Sequence, residues 1–130
     1  MTLTLSEEQI VALHAALLRA FGGRAGPLDR GALQAAVGRP GATFDGEDLY
    51  PDPAAKAAVL MHSLIVNHPF LDGNKRVGVA AAELFLNVNG WILRGSDEEL
   101  VAVTLAVARG DVPAAELAIW LRQRLVCEEP

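Results

Sequence analysis

Apolar residues recur at helical spacing along most of the chain. Ile10, Leu13, Leu17, Leu18 and Phe21 fall on one face of a first predicted helix. Ser6, three residues before Gln9, reads as its capping box, with Glu7 and Glu8 in the first turn and Gly22-Gly23 as the stop. Asp29 is placed to cap a short second helix through about Val37, which Arg39-Pro40 end. Asp52-Pro53 open a third helix, with aspartate at the N-cap and proline at the first helical position. It runs to about Asn67, because His68 precedes Pro69 and a residue before proline is pushed out of the α region. A fourth helix opens at Asn74 or Lys75 and lasts to about Val88, before Asn89-Gly90. It is apolar nearly all round, which predicts the central helix of a bundle. Arg76, Ala80, Glu83 and Asn87 lie along one stripe of it. Ser96 with Glu99 reads as a second capping box, for a fifth helix ending near Arg109, and Pro113 starts a last helix with Leu117, Trp120, Leu121 and Leu125 on one face.

Residues 38–53 follow no such period. Gly38, Pro40, Gly41, Gly46, Pro51 and Pro53 punctuate a stretch that carries Phe44, Leu49 and Tyr50. It reads as a loop or small hairpin, and long irregular segments in compact domains are often functional. The sum is an all-α fold, a compact bundle of about six helices with a short irregular flap or hairpin. No strand longer than a few residues is expected, and no repeat or linker divides the chain. One domain is expected over residues 1–130, with its core at about 4–124.

Composition narrows the picture. At 130 residues and 52% hydrophobic, the chain can bury a real core without staples. The formal net charge is −5 and no basic stripe is visible, so direct nucleic-acid binding is not expected. Cys127 is alone, which excludes an internal disulfide and a cysteine-built zinc cluster and fits a reducing cytoplasm. Met1 to Ile10 lacks the charged and apolar regions of a signal peptide. The longest apolar run, Val77 to Leu86, is broken by Gly78 and Glu83 and is too short to span a bilayer, so no membrane association is expected.

The chemistry concentrates in His68-Pro69-Phe70-Leu71-Asp72-Gly73-Asn74-Lys75-Arg76. A helix start offers unpaired backbone N–H groups and the positive end of its dipole, and Gly73 lets a phosphate approach the backbone closely. Lys75 and Arg76 add positive charge, and an arginine can grip two phosphate oxygens at once. Asp72 is the loop's one carboxylate. Beside phosphates, such a group is a natural ligand for Mg2+, which keeps most of its waters and takes one or two carboxylates. His68 has an imidazole suited to general-base work at neutral pH. Phe70 is expected to point inward and pin the loop.

These residues resemble the motif of the Fic/Doc family, H-x-F-x-D/E-G-N-G-R-x-x-R. The Doc branch replaces the second glycine by lysine, and Lys75 stands at that place here; Val79 stands where Fic enzymes carry the second arginine. The resemblance extends to the Leu5-to-Gly23 opening, the Leu28-Asp29-Arg30-Gly31 turn, the Phe44-to-Tyr50 stretch and the Asn87-to-Trp91 exit, and so covers roughly residues 4–124. It implies His68 as general base, Asp72 as the Mg2+ ligand, and Gly73, Asn74, Lys75 and Arg76 as the holders of the phosphates of ATP or another nucleoside triphosphate. Fic enzymes transfer AMP from the α-phosphate to a protein hydroxyl. In the Doc branch the lysine fills one phosphate subsite and the γ-phosphate is transferred instead, to a threonine of a translation elongation factor. The implied function is that of a toxin of a type II toxin–antitoxin system. The family's inhibitory sequence, S/T-x-x-x-E-G/N, is absent: its nearest candidate, Thr43 to Glu47, is followed by Asp48. A cognate antitoxin in trans is the implied restraint. Val77 and Gly78 stand where threonine and alanine are frequent in the Doc branch.

Two other readings use the same residues. One is a nucleotidyl-transferase of Fic type, with the same His68 and Asp72. The other is a catalytically degenerate module that binds a nucleotide or a protein, to which Val77 and Gly78 point. Several polar residues read more simply as structural. His14 sits at the boundary of an apolar stripe, and His62 packs, with no second histidine one turn on. Glu83 is solvated or paired with Arg76. Asp45, Glu47 and Asp48 form a wet loop or line a docking flap. Arg39 is a minor candidate for reaching the nucleotide, and Cys127 is an idle thiol.

Overall fold

Four of the six helices begin where a short side chain accepts a hydrogen bond from the backbone three residues on. A computed structural model describes residues 2–128; Met1, Glu129 and Pro130, at the ends of the expected 1–130 domain, lie outside the described residues. Ser6 accepts from the Gln9 amide and Gln9 returns the bond to the Ser6 amide, so α1 spans Glu7–Phe21 with a full capping box. Asp29 accepts from the Ala32 amide and opens α2, Arg30–Gly38, which tightens into a 3-10 turn at Arg39–Gly41. Asp52 accepts from the Ala55 amide, and with Pro53 at its first position α3 runs Pro53–Asn67. Then come α4, Asn74–Val88, α5, Asp97–Ala108, and α6, Ala114–Arg122. Ser96 caps α5 by accepting from the Glu99 amide. The expected second box is only half made, because the Glu99 carboxylate is drawn off to Arg124, whose guanidinium lies 3.1 Å away.

The irregular stretch is a hairpin. β1, Thr43–Phe44, pairs antiparallel with β2, Glu47–Asp48, around Asp45-Gly46. Both turn residues have positive φ, 56° and 82°, the conformation a two-residue hairpin turn demands and Asp-Gly supplies. The buried ammonium of Lys56 on α3 anchors the hairpin's base, donating to the Pro40 carbonyl at 3.0 Å and to Asp48 Oδ2 at 3.1 Å.

Two expectations about helices need correction. Leu125 does not continue the α6 face. The helix stops at Arg122, and Leu125–Cys127 form a strand, β4, antiparallel to β3, Trp91–Leu93. Leu125 still packs against the core, so its apolar character was read correctly and its element was not. Nor is α4 the centre of the bundle. That place belongs to α3, which touches α2, α4, α5 and α6 and buries Ala54, Ala57, Ala58, Leu60, Met61, Leu64 and Ile65 around its circumference. Small alanines let neighbours approach α3 closely. α4 buries Val77, Gly78, Ala81, Ala82, Phe85 and Leu86 on one side, while Val79 and Ala80 face an open groove instead.

Where α3 and α4 meet, Gly78 has a reason. A Cβ there would lie 2.8 Å from Ile65 Cγ1 and 3.3 Å from the Met61 carbonyl oxygen. Glycine costs about 1 kcal/mol against alanine in a helix interior, and here it allows the two helices that flank the motif loop to pack closely.

Candidate active site

The loop between α3 and α4 is fixed at nearly every residue. His68 ends α3 in the left-handed region, φ 49° and ψ 60°, a conformation that stops the helix ahead of Pro69. Its side chain is exposed. The Pro69 carbonyl accepts from the Asp29 amide at 2.8 Å, tying the loop to the start of α2. Phe70 is buried and its ring stacks on His14 of α1, centroids 3.8 Å apart and planes inclined by 12°. Asn74, also buried, folds back over the loop: Phe70 N–H donates to Asn74 Oδ1 at 3.0 Å, and Asn74 Nδ2 donates to the Phe70 carbonyl at 2.9 Å.

Asp72 is held from three directions. Oδ2 accepts from the Arg24 amide at 3.0 Å and Oδ1 from the Gly73 amide at 2.9 Å, while the Asp72 carbonyl accepts from His14 Nε2 at 2.7 Å. The Arg24 amide first, then the Gly73 amide, hold this carboxyl below the ordinary aspartate value; the nearby Arg24 and Arg76 charges act in the same direction. Gly73, at φ 81°, is the N-cap of α4 and makes no side-chain cap. The first amides of α4 are therefore free of both a helical acceptor and a capping one. Lys75 and Arg76 are exposed on that first turn, and the Arg76 guanidinium rests 4.8 Å from the centre of the Phe21 ring.

The donor set fits a magnesium ion that arrives with phosphates and not one caged by protein alone. Among the described residues no three His, Cys, Asp or Glu side chains converge. A single carboxylate kept ionised beside free helix amides matches the chemistry of Mg2+ held by one protein oxygen and a phosphate chain. Each Asp72 oxygen spends one lone pair on an amide and keeps another.

A model of the Fic/DOC family matches residues 4–86. The chain belongs to the Fic/DOC family. It is 33% identical over 119 residues to a protein named protein kinase doc, from Escherichia phage P1, a match covering 92% of this chain and 93% of that one. It is 54% identical over 71 residues to a protein named toxin Doc, from Mycolicibacterium smegmatis. That second match covers 55% of this chain, and the chain spans about half the length of the mycobacterial relative.

Within this Fic/DOC chain, the structure brings His68, Asp72, Gly73, Lys75 and Arg76 to one junction. Asn74 is there too, but its side chain is spent on Phe70, which leaves only its backbone N–H for an anion. Arg39 does not reach toward the loop: it donates to Ser63 Oγ at 3.3 Å and to the Tyr50 hydroxyl at 3.1 Å, linking the hairpin's exit to α3. His62 is half-buried, and burial, then the Arg39 charge, push it below the ordinary histidine value. Glu83 forms no ion pair with Arg76; burial, then the Asp97 charge, raise its carboxyl above the ordinary value.

Sequence reasoning missed the role of α1 and its exit. His14, read as a boundary residue, is 8% exposed and bonded into the loop. Gly22-Gly23, read only as a helix stop, bring the Arg24 amide to Asp72; a Cβ at Gly23 would lie 3.1 Å from Asp72 Oδ2. A second glycine, after one has already ended a helix, is the signal that could have shown it. Beside Lys75 and Arg76 a groove of about 570 Å³ opens between α1, α4 and α5, walled mainly by Leu17, Phe21, Val79, Ala80, Leu100 and Val101. No helix of the described residues is long and apolar enough to cross a membrane.

Proposed function

We propose that this chain is a Doc-like toxin enzyme that transfers the γ-phosphate of ATP, or of another nucleoside triphosphate, to a serine or threonine hydroxyl of a target protein. The observation that carries this reading is Lys75, exposed on the first turn of α4 next to the uncapped helix amides and the ionised Asp72. A lysine there places a side chain and a charge where glycine would leave a phosphate-sized space. The name of the phage P1 relative, protein kinase doc, supports phosphoryl transfer over nucleotidyl transfer.

In this mechanism the amides of Asn74 to Arg76, approached closely past Gly73, with the Lys75 and Arg76 charges, orient the triphosphate and stabilise the charge that builds on its oxygens. Asp72 would hold Mg2+, which on binding neutralises phosphate charge. A ring nitrogen of His68, exposed at the rim, accepts the proton of the target hydroxyl. The hydroxyl oxygen bonds to the γ-phosphorus, the bond from that phosphorus to its bridging oxygen breaks, and the nucleoside diphosphate leaves with both bonding electrons. The resemblance to the Doc branch names a translation elongation factor as target, and the lone Cys127 fits the reducing cytoplasm as the place of action.

An antitoxin acting in trans completes the proposal. Two observations support it: the name toxin Doc borne by the mycobacterial relative, and an apolar groove left open beside the phosphate site. Transfer from γ-labelled and α-labelled ATP to proteins of a cell extract tests the reaction. Label from the γ-position only is expected. Label from the α-position only would replace phosphoryl by AMP transfer at the same His68 and Asp72. Expression that slows growth, with relief by His68→Ala, separates an enzyme from a binding module.

A further inference from the structure

We infer that His14 is the positioning residue of this site. The peptide between Asp72 and Gly73 has a carbonyl that accepts from His14 Nε2 at 2.7 Å and an N–H that donates to Asp72 Oδ1 at 2.9 Å. A carbonyl oxygen only accepts, so His14 Nε2 carries the proton. The peptide borders a glycine at φ 81°, and glycine tolerates the mirror-image backbone almost as readily. On the Gly73 side the covalent chain therefore offers little resistance to a flip of this plane. A flip would turn the carbonyl dipole toward the Asp72 carboxylate and withdraw the Gly73 amide from it. The carboxylate would lose one of its two anchors, leaving the Arg24 amide alone to hold it.

His14 is built to prevent this. Its ring is 8% exposed and lies flat against Phe70 at 3.8 Å, so the imidazole has little freedom to leave. Gly73 itself comes close: a Cβ there would sit 3.5 Å from Nε2. Asn74 already fixes the loop at Phe70, and the Arg24 amide fixes the far carboxylate oxygen. Neither touches the 72–73 carbonyl. His14 thus acts through Asp72 and Gly73 and not on the reacting atoms, and for its bearing on turnover the inference rests on the nucleotide reading above.

Two substitutions divide the ring's tasks. His14→Phe keeps a flat ring on Phe70 and deletes the donor. His14→Gln gives up the stack and restores an N–H donor. In the ligand-free protein, nuclear magnetic resonance reads the Gly73 amide by its exchange rate and the His14 ring by its protonated nitrogen. The wild-type ring is expected to carry its proton on Nε2, and a bare Nε2 would overturn the inference without any variant. In His14→Phe the Gly73 amide is expected to exchange faster and Mg·ATP affinity to fall about tenfold, the scale of one buried hydrogen bond, with kcat falling as well as KM rising. His14→Gln is expected to recover most of both. An unchanged Gly73 amide in His14→Phe, or no recovery in His14→Gln, would overturn the inference. Failure of the wild-type chain to bind Mg·ATP counts against the proposed function alone, since the amide readout needs no nucleotide.

Discussion

Asn74 holds both backbone polar groups of Phe70, accepting from its N–H at 3.0 Å and donating to its carbonyl at 2.9 Å. The motif's asparagine thus closes a small ring across the loop from inside the protein. Asn74→Ala strands two buried backbone groups and is expected to destabilise the fold by about 1–3 kcal/mol in urea unfolding. Asn74→Asp keeps the acceptor but sets a carboxylate oxygen against the Phe70 carbonyl and buries a charge, so it should cost at least as much stability. The same charge beside the phosphate site should weaken Mg·ATP binding more than alanine does. An aspartate variant that outperforms alanine in either measurement would contradict this account.

The Asp72 carboxyl lies below its ordinary value in the folded chain because two amides hold its charged form. A depressed acid stabilises the fold above its unfolded value, and that contribution is lost as pH falls through the folded one. Asp72→Asn should therefore be slightly less stable than the parent at neutral pH, and the gap should close on acidification below the ordinary aspartate range. The thermal transition should survive, while Mg·ATP affinity falls by about tenfold or more. Titration calorimetry with the nucleotide and melting curves across pH check the two halves separately.

Glu83 behaves in the opposite sense. Its carboxyl is raised by burial and by Asp97, so ionising it costs the folded state. The favourable protonated form prevails below the ordinary glutamate value, and its contribution disappears as pH rises through the raised one. Glu83→Gln should be more stable than the parent at neutral pH by a fraction of a kilocalorie per mole, and indistinguishable from it in acid. Unfolding curves on either side of the carboxylate range decide this.

Gly78 and Ile65 form a matched pair across the α3–α4 contact. Alanine at 78 gains about 1 kcal/mol of helix propensity and meets an overpacking cost of about 1–3 kcal/mol. Gly78→Ala is expected to lower stability overall. In an Ile65→Ala background, itself costly, the added methyl should become neutral or favourable. A double-mutant cycle measured in urea reads the coupling directly.

The helix starts were legible because a cap is a local device. Ser6, Asp29 and Asp52 each bond to the amide three residues on, within the span a sequence window covers. The motif loop was legible for the same reason, its residues being contiguous. What escaped was set by distant partners. His14 meets Asp72 across 58 positions of sequence, and nothing near residue 14 announces it. The apolar circumference of α4 did not reveal that one side of it faces a groove, so the central helix was misassigned. Leu125 kept the apolar spacing of α6 beyond the point where the chain had already turned into β4.

The hairpin that Lys56 staples at its foot has a practical use. Its turn, Asp45-Gly46, projects away from the helices, with nothing within 4 Å of where a Gly46 side chain would begin and Phe44 beside it 76% exposed. The buried ammonium secures the base independently of the tip. A short epitope or a fluorescent label spliced between Asp45 and Gly46 would ride on an anchored stem, offering a reporter position that leaves α3, α4 and the loop joining them undisturbed.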